Sequence, residues 1–326
     1  MVGGTQVTDW LLSSDVSVRW QVMRDLLDAP LPAWRAERAK VASEGWGARL
    51  LSYEDDDGQW AGGAFLPSGF GSGDWKEQGQ PWTATTFSLT QLREFGLEPA
   101  SPAARRAVDL VGANSRWDEG GQPFWEGEAE ECINGRVVAD GAYFGEDVSA
   151  VVARLVSQRL GDGGWNCERA NGSVRSSFAT TVNVLEGLLE YERATGGTPG
   201  SREARRSGEE YLLERRLARR LRDGQVADKQ FLALTYPPRW RYDILRALDY
   251  FRSAAVFGCV PPDERLAEAV EHIRSKRRSD GTWHLDWRPK GRVWFEMDKG
   301  PGRPSYWVTL KAARVLKWFE GSSAEP

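Results

Sequence analysis

The chain has 326 residues, enough for one large domain or two ordinary ones, with 28% charged residues and a formal net charge of −4. That balance gives no global electrostatic reason to meet nucleic acid or an anionic membrane, and no window approaches the roughly 18 uninterrupted apolar residues of a spanning helix. Three cysteines at wide spacing argue against a disulfide framework, and the first residues lack a basic-then-apolar leader, so a cytoplasmic protein is expected.

In chain order, apolar residues recur at three- and four-residue steps over 18–28, 83–97, 132–145, 176–197, 241–255 and 305–321. Val182, Leu185, Leu188 and Leu189 illustrate the spacing. Several of these segments begin near Ser, Thr or Asp and end near Gly, as helix caps require. More polar Arg/Glu/Ala-rich stretches lie between them, at 33–51, 102–113, 147–160, 202–222 and 263–276, with 5–12 as a sixth member. Their charge pattern suits helices with one solvated face. Residues 53–82, rich in Gly and Asp, read as a long functional or clasping loop.

A short motif repeats at the joins. DGQW (Asp57–Trp60), DGGW (Asp162–Trp165) and DGTW (Asp280–Trp283) share one form, and DEGGQPFWE (118–126) is a looser copy. The chain holds 16 Trp, which fits repeated packing units or an aromatic-lined cavity. The Trp is expected to wedge between helices while the Gly lets the chain turn. Six apolar helices alternating with six polar ones predict an all-α, single-domain (α/α)6 toroid over 1–326, with a linear solenoid as the alternative.

The DGxW loops resemble the QW-type repeats of the terpenoid cyclase and protein prenyltransferase superfamily. In those repeats Gln and Trp clasp neighbouring helix ends; only the first copy here carries both, as Gln59 and Trp60. More narrowly, ECINGRVVADGAYFG, DGGWNCE and GRPSYWVTLKAARVLKWFE resemble bacterial squalene-cyclase-like proteins. The resemblance implies a central aromatic-lined cavity and acid-initiated cyclisation or isomerisation of an isoprenoid or similar elongated apolar substrate. Aromatic faces would stabilise developing positive charge there. The chain departs from the family's patterns. It has no D-x-D-D motif; EDDDG (54–58) belongs to a turn, and Ala142 stands where a zinc-binding Cys would follow Asp140.

In a helical ring, the starts of the inner helices and their preceding loops surround the funnel, where unpaired N–H groups hold polar atoms. The catalytic candidates are therefore Asp140, Asp243 and Glu131. Asp140 reads either as an i,i+4 partner of Arg136 or as a desolvated proton donor. Asp243 reads either as a helix cap or as a substrate contact, and Glu131 as a first-turn acid or a site group. Substrate-binding candidates are Trp82, Cys132, Arg136, Tyr143, Phe178, Arg239, Trp240, Tyr242, Glu296 and Trp307. Cys132, Cys167 and His284 could meet as a zinc set, but no C-x-x-C spacing supports it and buried structural cysteines are the default, so no metal and no cofactor is assigned. The expected partner is a small apolar or amphipathic molecule. A non-catalytic ligand-binding toroid and a carbohydrate-active (α/α)6 enzyme, which needs paired carboxylates, are the alternatives.

Overall fold

The computed structural model describes residues 2–71 and 73–321. Its helices, in chain order, are α1 (Val2–Leu12), α2 (Val16–Asp25), α3 (Leu31–Ala39), α4 (Gly45–Leu51), α5 (Asp74–Gln78), α6 (Thr85–Phe95) and α7 (Pro102–Asn114). They continue as α8 (Glu131–Phe144), α9 (Ser149–Ser157), α10 (Phe178–Thr195), α11 (Pro199–Glu214), α12 (Ile244–Gly258), α13 (Ala267–Ser275) and α14 (Tyr306–Gly321). Extended pairing among the described residues is limited to isolated bridges. The fold is all-α, as the sequence predicts.

Burial separates two kinds of helix. Along α8, residues from Ile133 to Ala142 are buried all round, and α6, the middle of α10 and α12 as far as Phe251 are nearly so. By contrast α7 buries one stripe, Ala104, Ala107, Val108 and Val111, and exposes the rest. A helix apolar on every side must be enclosed, and a striped one must sit outside. The contacts agree. α2 packs on α6, α6 on α8, α8 on α10, α10 on α12, α12 on α14, and α14 returns to α2. Each buried helix also touches a striped neighbour, for example α10 with α11. The α8–α10 contact is the closest of these. A Cβ on Gly135 would sit 2.4 Å from the Asn183 carbonyl, and one on Gly187 would sit 2.4 Å from the Gly135 carbonyl. Only glycine lets these two backbones touch.

The three DGxW loops are built alike. The indole N–H of Trp60, Trp165 and Trp283 donates to the carbonyl ten residues earlier, Leu50, Leu155 and Ile273, at 2.9, 2.7 and 2.7 Å. Each carbonyl lies in or near the last turn of an outer helix, where its other partner is the N–H three residues later, from Tyr53, Gln158 or Lys276, each at 3.2 Å. The backbone N–H of the same Trp donates to Thr85, Thr181 or Thr309, at 3.1, 3.2 and 3.0 Å, in the first turn of the next inner helix. Gly58, Gly163 and Gly281 all take positive φ, at 87°, 99° and 84°. The ring thus joins outer end to inner start three times with one device. The looser copy does not follow it, since the Trp125 indole N is buried without a partner. Gln59 bonds Asp57 within its own loop and reaches no neighbouring helix among the described residues.

Closure of the ring is ionic. Arg314 on α14 forks onto Asp249 of α12 (2.6 Å at Nε) and reaches Gln21 and Asp25 of α2 at 2.8 and 3.0 Å. Burial pushes the Asp25 carboxyl up, but Arg24, Arg314 and Arg252 together pull it down to about 2.

If the three tryptophans are equivalent fasteners, Trp60→Phe, Trp165→Phe and Trp283→Phe should each cost about 1–3 kcal/mol, because each removes a buried hydrogen bond and part of a fully buried ring. Trp75→Phe, at a half-exposed ring, should stay within about 0.5 kcal/mol of wild type. Urea unfolding of the four variants measures both.

Candidate active site

A cavity of roughly 350 Å³ opens at the N-terminal ends of α6, α8 and α10. Phe87, Ile133 and Ala179 supply apolar wall, and Cys132, Cys167 and Thr180 stand along one side. Arg136 lies one turn beyond Cys132 on the same face of α8. Phe65 and Gln80, from the long 53–82 loop, and Trp240, from the loop before α12, cover the opening. The Trp240 indole donates to Gln80 Oε1 at 3.0 Å, which ties the two covering loops together.

Arg136 is the unusual group. It is only 6% exposed, its Nε is buried without a partner, and no carboxylate stands within ion-pair distance among the described residues. Burial and then the charge of Arg246 pull its pKa down to about 10, which still leaves it a cation at neutral pH. Its natural partners are taken. Asp140 accepts from Arg93 and Thr90, each at 2.7 Å. Glu186 accepts a fork from Arg246 at 2.8 and 2.6 Å. Arg239 is a second buried guanidinium without an ion pair among the described residues, stacked over Trp82 at 5.3 Å. Its backbone holds φ 56°, a strained value for a side chain of this size. Burial and then Arg136 pull its pKa down to about 10. The two arginines border one narrow crevice beside the cavity.

The sequence-predicted residues divide into groups. Cys132, Arg136 and Trp240 line the cavity. Trp82 stands directly behind its wall, edge-on to Phe87 at 5.0 Å, and Arg239 flanks it. Asp140 is buried deeper, paired with Arg93 from α6 rather than with Arg136, and does not line the cavity. Burial pushes its carboxyl above the usual range even so. Asp243 caps α12 by accepting the Arg246 N–H at 2.8 Å, and its second oxygen is buried without a partner. Burial holds that carboxyl up at about 6. Glu131 is buried in an ion pair with Arg169 at 2.6 Å; its neighbour Glu130 is the acid on the cavity rim.

The remaining candidates lie elsewhere. Phe178 and Tyr242 pack together against Phe231, away from the cavity, and the Tyr242 hydroxyl donates to the Leu217 carbonyl at 2.6 Å. Glu296 is exposed and pairs with Arg288. Tyr143 and Trp307 border a polar, arginine-rich recess toward the other end of the ring, where Glu190, Arg193 and Arg252 also stand. The loop before α14 is fastened at its end: Asp298 accepts from Ser305 Oγ at 2.7 Å and from the Tyr306 N–H at 3.1 Å. Of the possible zinc set, Cys132 and Cys167 meet, His284 is not with them, and Glu130 takes the third corner. Sequence reading missed Glu130, because an acid at the helix start and one a residue later look alike until the rotation of α8 is known.

No known family profile matches the chain, and no curated protein matches it. Among solved structures it is similar to a protein from Actinoplanes, at 18% identity and TM-score 0.46, over 95% of this chain and 91% of that one. It is also similar to the type II terpene cyclase MstE from Scytonema, at 16% identity and TM-score 0.46, over 94% of this chain and 87% of that one. A structure of an MstE variant with its substrate, geranylgeranyl dihydroxybenzoate, gives the same figures. No described helix is long and apolar enough to cross a membrane.

The Asp243 carboxyl makes a signed prediction. Its folded pKa, about 6, lies above the ordinary aspartate value, 3.8, so the folded state holds the proton more tightly. Stability should therefore fall as pH rises from about 4 to about 6, by on the order of 2–3 kcal/mol from this group. Asp243→Asn keeps the cap. It should flatten that slope and be more stable than wild type at pH 7 in urea titrations. An unchanged slope would show that Asp243 is ionised throughout.

Proposed function

We propose that the protein binds an elongated apolar molecule, isoprenoid or similar, that ends in a phosphate or carboxylate. The observation that carries this reading is Arg136: a buried, unpartnered cation on the wall of an otherwise apolar cavity. Glu186, Asp140 and Glu94 act on it only through space, and leaving a buried charge without a direct partner costs several kcal/mol. An anionic ligand head would remove that cost on binding, while its chain covers Phe87, Ile133 and Ala179. The volume, roughly 350 Å³, falls within the range of small-molecule sites.

The sequence resemblance implies acid-initiated cyclisation or isomerisation on an (α/α)6 toroid of terpene-cyclase type. That chemistry needs a carboxylic acid against the ligand. Asp140, Asp243 and Glu131 all stand outside the cavity lining, and Glu130 is on its exposed rim. The geometry therefore favours holding the ligand over protonating it. A carbohydrate-active reading needs two facing carboxylates. The lining holds one, Glu130.

Isothermal titration with dodecyl phosphate and with 1-dodecanol separates head from chain. Arg136→Met should weaken dodecyl phosphate binding roughly 10- to 100-fold, the value of a charged hydrogen-bonded contact, and leave dodecanol unchanged. The same variant, without ligand, should melt higher than wild type, because the uncompensated charge is gone. Equal binding of dodecyl phosphate by both proteins, or a lower melting temperature, would contradict the proposal.

A further inference from the structure

The cavity carries a second feature that the anion reading does not use. The donor atoms of Glu130, Cys132 and Cys167 all lie within 4.8 Å of one another. The Cys132 thiol is 3.4 Å from Glu130 Oε2. A tetrahedral zinc ion with sulfur ligands at about 2.3 Å holds neighbouring donors about 3.5–4 Å apart, so this triangle needs little closing. We infer that Glu130, Cys132 and Cys167 form a zinc site whose fourth position opens into the cavity.

Three arguments support it. First, the two cysteines come from different units of the fold. Cys132 is in the first turn of α8, and Cys167 is in the short helical turn that follows Trp165. The Trp165 fastener fixes that turn through Leu155 and Thr181. The Asn166 side chain caps it by accepting the Glu168 N–H at 3.0 Å. Cys167 is also held at Thr180, whose hydroxyl lies 3.3 Å from both its Sγ and its backbone N. The thiols are therefore brought together by two rigid supports, not by a flexible tail.

Second, the triad is positioned to bind. Glu130 is fixed at the start of α8 by its own N–H, which donates to Glu128 Oε2 at 2.7 Å. All three residues border the cavity, and a site with three protein ligands keeps one position free, as reactive zinc sites do and purely structural ones do not. Third, the charges agree. Two thiolates and a carboxylate around a divalent ion leave a net charge of about −1. Arg136, one turn away on the same helix face, is a buried cation without an ion pair. An anionic or thiol group of the ligand held near Arg136 would meet the open position. The metal would act there as a Lewis acid or would hold a thiolate. Binding releases the two thiol protons to solvent, so affinity should rise with pH.

The test is metal content, which does not depend on the ligand proposed above. Protein purified without chelator, in a phosphine reductant, is dialysed against zinc-free buffer and analysed by mass spectrometry of the metal. Wild type should retain about one equivalent of zinc per chain. Cys132→Ser and Cys167→Ser should each lose it, and Cys259→Ser, at an exposed cysteine, should keep it. Glu130→Gln should bind at least about tenfold more weakly in competition with a chromophoric chelator. Replacement by cobalt should give intense tetrahedral bands in the visible and a thiolate charge-transfer band in the near ultraviolet, both absent from Cys132→Ser. Circular dichroism shows whether each variant is folded. Folded wild type with no retained zinc and no cobalt bands would overturn the inference, as would retention by both folded cysteine variants. Zinc bound in Arg136→Met but no dodecyl phosphate would separate this site from the anion reading.

Discussion

A tryptophan N–H in a dry interior must find an acceptor, and much of this fold follows from where three of them find it. Each of Trp60, Trp165 and Trp283 bonds a carbonyl at or near the end of an outer helix, where the helix ladder runs out. Its backbone then donates to a threonine at the start of the next inner helix. One residue thus bonds the end of one helix and the start of the next. It also fixes the offset between the helices it joins. The Trp165 copy places Cys167 and the start of α10 on the cavity wall. The site is a consequence of how the helices are fastened.

Enclosing helices on every side leaves little room for charge, yet this interior is rich in it. Most of that charge is balanced by pairs drawn from different helices. Arg93 on α6 takes Asp140 on α8, Arg246 on α12 takes Glu186 on α10, and Arg314 on α14 takes Asp249 and Asp25. Such pairs add modestly to stability after desolvation, but losing one partner is costly, so they specify which helices sit side by side. Against this balance Arg136 and Arg239 stand out. An unpaired buried cation is a poor structural choice and a good binding one. Both border the crevice beside the apolar cavity, and Arg239 adds a strained backbone. Strain and uncompensated charge in one place mark a site better than volume does.

The sequence made the helices legible and their rotations obscure. Each inner helix is long, apolar and capped, so its extent is marked locally; residues 305–321 became α14 (Tyr306–Gly321) almost unchanged. The outer segment 33–51, expected as one helix, is broken between Ala39 and Gly45, where a φ of 64° at Gly45 lets the Trp46 N–H reach the Asp15 carboxylate. The segment 202–222 stops early, because Arg216 and Leu217 take positive φ. What could not be read was facing. A buried helix is enclosed on every side, so periodicity does not say which residue meets the cavity. Phe178 and Tyr242 therefore looked like cavity residues and are not. Pairing was equally hidden: Arg136 is one turn from Asp140, but Arg93, 47 positions away in sequence, reaches it instead. The thiol pair is legible only after folding, since its members come from separate repeats.

The central claim is that Arg136 is uncompensated because a ligand compensates it. A crystal structure of the protein soaked with dodecyl phosphate tests this most directly. The account predicts the phosphate within hydrogen-bond distance of the Arg136 guanidinium, with the chain against Phe87 and Ile133. Phosphate seated instead in the arginine-rich recess beside Arg193 and Arg252, with the apolar cavity unfilled, would contradict it.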